Sequence, residues 1–265
     1  MNPREEWNLG TRRLGRRVWL FDRLDSTNRL AAALADDPAN DGLVILAGEQ
    51  TAGRGQHGRT WQCSPGTGVL LSVLLFPSIS LRRPALLTAW AAVSVCETIR
   101  ALSGLEPRIK WPNDVLIQGK KVCGILMDQW RRTVAGIGLN VNQTADDLAR
   151  AELPDAGSLA VFTGQRLDVS TVARRLIEQL DEEYDRLCWG NLAALETSWK
   201  AGLGLLGQEV VAECWKGQYQ GRLSDLSWDE VVLEGADGRR WRFAPEGVKH
   251  LEPAPGDSES REDFP

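Results

Sequence analysis

The chain has 265 residues, of which 43% are hydrophobic and 25% charged, with a formal net charge of −5; these proportions exclude a largely disordered chain, and the acidic balance excludes one that coats nucleic acid through a broad basic surface. The five cysteines form no CxxC pair and only two histidines accompany them, so reduced thiols and no structural zinc are expected. The N-terminus lacks the apolar core of a signal peptide, and no run is read as approaching the ~20 apolar residues of a membrane helix, so a cytoplasmic protein with no membrane partner is expected.

In chain order, residues 18–21 form a short apolar run that suits a strand. Asp25, Ser26, Thr27 and Asn28 follow, residue types that cap a helix start, and Leu30 and Leu34 then recur at the spacing of a buried helical stripe. Asp41 and Gly42 turn the chain into a second strand at 43–47, and the run 68–76 has the length and branching of a buried strand. Between these strands lies a polar loop, residues 49–61 (EQTAGRGQHGRTW). Gly53, Gly55 and Gly58 allow close backbone approaches, Arg54 and Arg59 add positive charge, and no acidic residue occurs between Glu49 and Glu97. Such a strip can wrap an anion. Residues 53–58 also match GxGxxG, but a dinucleotide fingerprint needs a helix at the glycines and an acidic residue ~20 positions on, and neither follows.

A helix is expected over 84–102, opened by Pro84 and closed by Gly104. Strands are expected at 108–111, 115–117, 122–127 and 134–140. Within 108–126 (RIKWPNDVLIQGKKVCGIL), Lys110 and Asp114 read as a surface ion pair, whereas Lys121, between strand residues and ahead of Gly124, places an ammonium at a strand edge. The glycines of 136–142 (GIGLNVN) fit a bulged core strand or a close ligand approach equally well. Helices at 169–187 and 192–199 complete an α+β pattern: a mixed sheet flanked by helices. After 202–207 only short strands follow, at 210–215, 219–223, 230–233 and 240–243, as in a small barrel. The expected units are 1–203, 204–252 and a disordered, acidic tail at 253–265.

Five segments taken together, DSTN at 25–28, the GRGxxGRxW core of 50–61, KWPND at 110–114, KKVCGIL at 120–126 and residues 136–142, resemble the biotin protein ligase family in order and separation. The resemblance implies a class II synthetase-like biotin/lipoate ligase catalytic domain followed, over 207–251, by an SH3-like β-barrel. It implies ATP and biotin as substrates with Mg²⁺, biotinyl-5'-AMP as intermediate, and a lysine of a biotin carboxyl carrier protein as acceptor. Ser26, Thr27, Asn28, Gln50, Gly53, Arg54, Gly55, Gln56, Lys121, Gly124 and Gly138 would bind biotin. Arg54, Arg59, Trp61, Asn113, Lys121 and Asn140 would handle the nucleotide, and Lys121, Arg54 and Arg59 would serve catalysis; no protein ligands are assigned to the metal. Gln56 departs from the family's frequent arginine, which bears on how tightly the adenylate is kept. Too few residues precede Asp25 for the helix-turn-helix domain of repressor-type ligases, so no DNA binding is expected; a dimer through sheet edges is allowed. The competing readings are a lipoate ligase or acyl transferase of the same superfold, and a non-catalytic biotin sensor.

Overall fold

The computed structural model describes residues 2–129 and 132–255. In chain order the elements are β1 (Glu5–Trp7), β2 (Val18–Leu24), α1 (Thr27–Ala33), β3 (Val44–Gln50), β4 (Gly68–Leu75), α2 (Pro84–Ser103), β5 (Arg108–Lys110), β6 (Asp114–Ile117), β7 (Lys120–Asp128) and β8 (Thr133–Asn140). Then come α3 (Ala145–Arg150), α4 (Leu159–Thr163), α5 (Val169–Cys188) and α6 (Leu192–Leu203), followed by β9 (Glu209–Cys214), β10 (Gly217–Leu226), β11 (Val231–Glu234), β12 (Arg240–Phe243) and β13 (Val248–Pro253).

The first eight strands form one sheet in the order β1-β2-β3-β4-β8-β7-β6-β5. It is mixed: β2 and β3 run parallel, joined by a crossover that contains α1, and the other neighbours are antiparallel. Strand alternation divides its side chains between two layers. Val44 and Leu46 of β3, with Val69, Leu71 and Val73 of β4, join the main core beneath α2 and α5. Ile45 and Ala47 of β3, with Leu74 of β4 and Val134 of β8, point the other way into a smaller core under α1. Because α1 is short, it covers only part of that second face. The uncovered part is where the cleft described below lies.

Pro84 opens α2, and Gly104, at φ 67°, closes it in the left-handed region that glycine enters without strain. This helix corrects the reading that no segment is apolar enough to span a bilayer, since by length and composition it could. Two-thirds of its most apolar window, however, is buried inside the protein, as the central helix of a packed core requires. Asp181 of α5 ties the N-terminal segment to this core by accepting the backbone N–H groups of Arg12, Arg13 and Leu14 at 2.7–2.8 Å. One turn on, Asp185 receives both arginine side chains, and the Arg13 and Arg12 guanidinium groups hold its carboxyl below the usual range.

The last five strands form an antiparallel sheet in the order β12-β11-β10-β9-β13. Among the described residues its pairing does not close into a ring, because β12 and β13 remain its edges; a closed barrel is therefore not what these strands build. The expected tail also begins too early, since β13 continues to Pro253 and Ala254 donates its N–H to the Glu209 carbonyl at 2.9 Å. Residues 256–265 of that expected tail lie outside the described residues. The two sheets meet through tryptophans: Trp111 sits tilted 6.0 Å from Trp199, which stacks on Trp228 at 4.7 Å, and Trp111 Nε1 donates to the Val248 carbonyl at 2.8 Å.

Candidate active site

The uncovered sheet face holds a cavity of about 210 Å³. Its floor is made by β7 and β8, where Gly124, Gly136 and Gly138 alternate with core residues and so carry no side chains into the cleft at those positions. One end is polar. Thr27 and Asn28, at the start of α1, and Gln50, at the end of β3, meet there because β2 and β3 run parallel and finish side by side. Gln50 Oε1 accepts the Thr27 N–H at 2.8 Å and the Thr27 hydroxyl at 3.1 Å. Ser26 lies at the cap position, but its side chain makes no capping bond. The helix-cap reading of residues 26–28 holds for the position of Ser26 but not for a side-chain cap bond, and all three residues line the cavity.

The glycine-rich loop folds back on itself over the floor. Gly55 N–H bonds to the Arg59 carbonyl at 2.7 Å and Trp61 N–H to the Gly53 carbonyl at 3.1 Å, with His57 and Gly58 at positive φ in the turn. Gly53 itself does not line the cavity; a side chain there would overlap the Trp61 carbonyl, so its role is to let the loop close. Arg54, Gly55, Gln56 and Arg59 do line it. Arg54 Nη1 sits 3.2 Å from Asp128 Oδ2, and its side chain is 46% exposed. Such an ion pair is weak enough to be traded for an anionic ligand.

Lys121 enters from β7 and pairs with Asp114 at 2.7 Å, whereas Lys110 pairs with Glu252 of β13, also at 2.7 Å. The expected Lys110–Asp114 pair is therefore replaced by two others, because the β6–β7 hairpin carries Lys121 back beside Asp114. Asn113 is held by Nδ2 donating to the Ile125 carbonyl at 2.6 Å and lines the cavity. Asn140 does not: it is buried behind the floor, donating to the Gly157 carbonyl and accepting from Gln143. Arg54 and Lys121, far apart in sequence, share this one cavity.

Gly124 and Gly138 serve a purpose that their sequence did not reveal. The Trp61 indole lies against both, 2.8 Å from where a Cβ on Gly124 would stand and overlapping one on Gly138. Its Nε1 is buried without a hydrogen-bond partner among the described residues, and Lys121 Nζ lies 5.7 Å from the ring centroid. The glycines thus seat an aromatic face inside the cleft. Lys249 and His250 of β13 also reach the cavity, a contribution from the second sheet that the sequence reading missed. Among the described residues no cluster of three His, Cys, Asp or Glu side chains is placed to hold a metal ion.

Residues 20–142 match the model of the biotin/lipoate A/B protein ligase family. The chain is 33% identical over 234 residues to a bifunctional ligase/repressor of Bacillus spizizenii, spanning 86% of this chain and 72% of that one. It is 31% identical over 258 residues to a biotin–[acetyl-CoA-carboxylase] ligase of Mycobacterium tuberculosis, spanning 89% of this chain and 95% of the other. Among solved structures, the biotin protein ligase of Aquifex aeolicus in complex with biotin and ATP superposes with a TM-score of 0.76 at 26% identity, covering 89% of this chain and 99% of that one.

Proposed function

This chain belongs to the biotin/lipoate A/B protein ligase family, and from that premise we propose that its cleft joins biotin to ATP and then passes the biotinyl group to a carrier protein. It is a biotin protein ligase, and its acceptor belongs to a biotin-dependent carboxylase. In the first step a carboxylate oxygen of biotin attacks the α-phosphorus of ATP, the bond to the diphosphate breaks, and biotinyl-5'-AMP forms. In the second, a lysine amine of the carrier attacks the acyl carbon, AMP departs with the electron pair, and the nitrogen loses its surplus proton.

Two anions must meet in the first step, so charge neutralisation and alignment lower its barrier. The observation that carries the reading is the convergence of Arg54 and Lys121 on one cavity that ends in the buried Thr27 and Asn28 and the half-buried Gln50. Lys121 would hold the reacting carboxylate against the α-phosphate, Arg54 would leave Asp128 for the same phosphate, and Arg59 would face the outgoing diphosphate. The Trp61 indole and Asn113 would receive the adenine. No protein nucleophile is needed. The amide-rich end suits the polar ureido ring of biotin, whereas the dithiolane of lipoate would leave those buried donors and acceptors without partners. That favours biotin over the related ligase reading.

Mg²⁺ supplies further charge neutralisation when bound. The donor set fits an ion carried chiefly by the nucleotide phosphates and water, because among the described residues no three His, Cys, Asp or Glu side chains cluster to hold one. We assign residues 1–203 to the catalytic unit and 204–252 to an SH3-like module that lends Lys249 and His250 to the cleft, and we place this enzyme, with five free cysteines, in the cytoplasm.

The test is incubation of the purified chain with ATP, radiolabelled biotin and a biotin carboxyl carrier domain, with labelled lipoate in parallel. Label should pass from biotin to the carrier only when ATP is present. Transfer of lipoate in preference to biotin, or biotin binding without transfer, would overturn the reading.

A further inference from the structure

We propose that Ser72, in the middle of β4, is a positioning residue that fixes the Asn28 amide with its Nδ2 donor toward the cleft, so that the site selects a ring bearing a carbonyl oxygen. The proposal deepens the biotin reading and rests on it, the carbonyl being that of the ureido ring.

Ser72 is the single polar side chain in the run 69–76 and is fully buried. Strand alternation turns it away from the main core, toward α1, on the same face as Leu74. A hydroxyl there must find partners, and it has two: Thr27 Oγ1 at 2.7 Å and Asn28 Oδ1 at 2.5 Å. It has one proton to give. An amide oxygen can only accept, so Asn28 Oδ1 takes that proton, while the Thr27 hydroxyl can turn its own toward Ser72 or toward Gln50 Oε1.

With its oxygen held, the Asn28 amide presents its nitrogen. Asn28 is 4% exposed, lines the cavity, and its Nδ2 has no hydrogen-bond partner among the described residues. A buried N–H group without a partner is costly and marks a place where a ligand acceptor belongs. Gly136 secures the arrangement from below: a Cβ there would stand 2.1 Å from Asn28 Oδ1 and 2.8 Å from both Cγ and Nδ2. Any larger residue would push the amide off its seat. Gln50, held by its own oxygen through Thr27, adds Nε2 as a second donor. A urea carbonyl offers two lone pairs; a ring that carries a donor in that place would meet donors.

The test compares equilibrium binding of biotin and 2-iminobiotin, whose cyclic guanidinium replaces the carbonyl by N–H donors, to the full chain and to its Ser72→Ala, Ser72→Cys and Asn28→Asp variants. Ser72→Ala should weaken biotin about tenfold, the cost of losing one well-placed hydrogen bond. It should change iminobiotin less than about twofold and raise KM for biotin while kcat stays within about twofold. Asn28→Asp, in which a carboxylate oxygen stands where Nδ2 stood, should reverse the preference in favour of iminobiotin. Biotin affinity unchanged in Ser72→Ala, or equal losses for both ligands, would overturn the proposal. Should Ser72→Ala fail to fold by thermal melting, Ser72→Cys, which keeps the volume and only a weak donor, must show the same selective loss, and an unchanged ligand ratio in Asn28→Asp refutes the proposal independently. Wild-type chain that binds no biotin would overturn the ligase reading itself. Wild-type binding with an unaffected Ser72→Ala overturns the positioning role alone.

Discussion

Replacing Lys121 with alanine removes an ammonium from the cavity wall and leaves Asp114, its partner at 2.7 Å, without that cation. The effect on folding should be small. The two side chains are 36% and 22% exposed, and partly exposed pairs of this kind contribute at most about 1 kcal/mol. The effect on the first chemical step should be much larger. An ammonium about 3 Å from a phosphate oxygen, at an effective dielectric near 20, gains roughly 5 kcal/mol before desolvation is charged against it. Removing a preorganised group that meets developing charge commonly costs about 3–4 kcal/mol, or about 100- to 1,000-fold in kcat. Biotinyl-AMP formation from α-labelled ATP, followed by thin-layer separation, measures this step without the carrier. The expected result is a loss of at least about 100-fold in adenylate synthesis with a melting temperature lowered by only ~2–4 °C. Adenylate made within about tenfold of the wild-type rate, or lost only because the variant unfolds, would refute the charge argument.

Gly138→Ala places a methyl group inside the Trp61 indole and should displace that ring, weakening ATP binding about tenfold or more while biotin binding changes little; calorimetric titration with each ligand checks this. Trp111→Phe removes the donor that meets the Val248 carbonyl at 2.8 Å in a buried junction, and should cost about 1–3 kcal/mol in urea unfolding. Asp185 has a folded-state carboxyl held below its ordinary value, first by the Arg13 hydrogen bond. Its contribution is therefore fully present above the unfolded value of about 4 and disappears as pH falls through the lower folded value. Thermal melts of Asp185→Asn against wild type should accordingly differ at pH 7 and converge toward pH 2; a difference that grew with acidity would contradict the sign.

The central strands were legible because their physics is local. The buried runs of β3, β4 and β8 meet the main core on one face and α1 or the glycine floor of the cleft on the other, so most of their residues are hydrophobic or glycine. By contrast β1 is three residues long with only Trp7 buried, and β13 buries just Val248 and Leu251 between charged neighbours. Their pairing is decided by partners distant in sequence, and neither was anticipated. Helices α3 and α4, of six and five residues, each bury a single leucine and carry no readable period. In the cleft, Lys121 and Arg54 stood out as cations beside glycines. Lys249 and His250 did not, because only tertiary docking of the second sheet brings them there. Asn140 looked like a site residue by adjacency, yet strand position sends its amide into a buried bond with Gly157. Ser72 carried a visible signal, one hydroxyl within an apolar strand, whose meaning depended on which residues of α1 lay opposite.

A crystal structure of the chain bound to a non-hydrolysable biotinyl-adenylate analogue would bear most directly on the proposed chemistry. Phosphate oxygens should lie within hydrogen-bonding distance of both Lys121 Nζ and the Arg54 guanidinium, with Arg54 withdrawn from Asp128 and the ureido oxygen next to Asn28. An adenylate seated elsewhere, or one whose phosphate is met by neither cation, would contradict it.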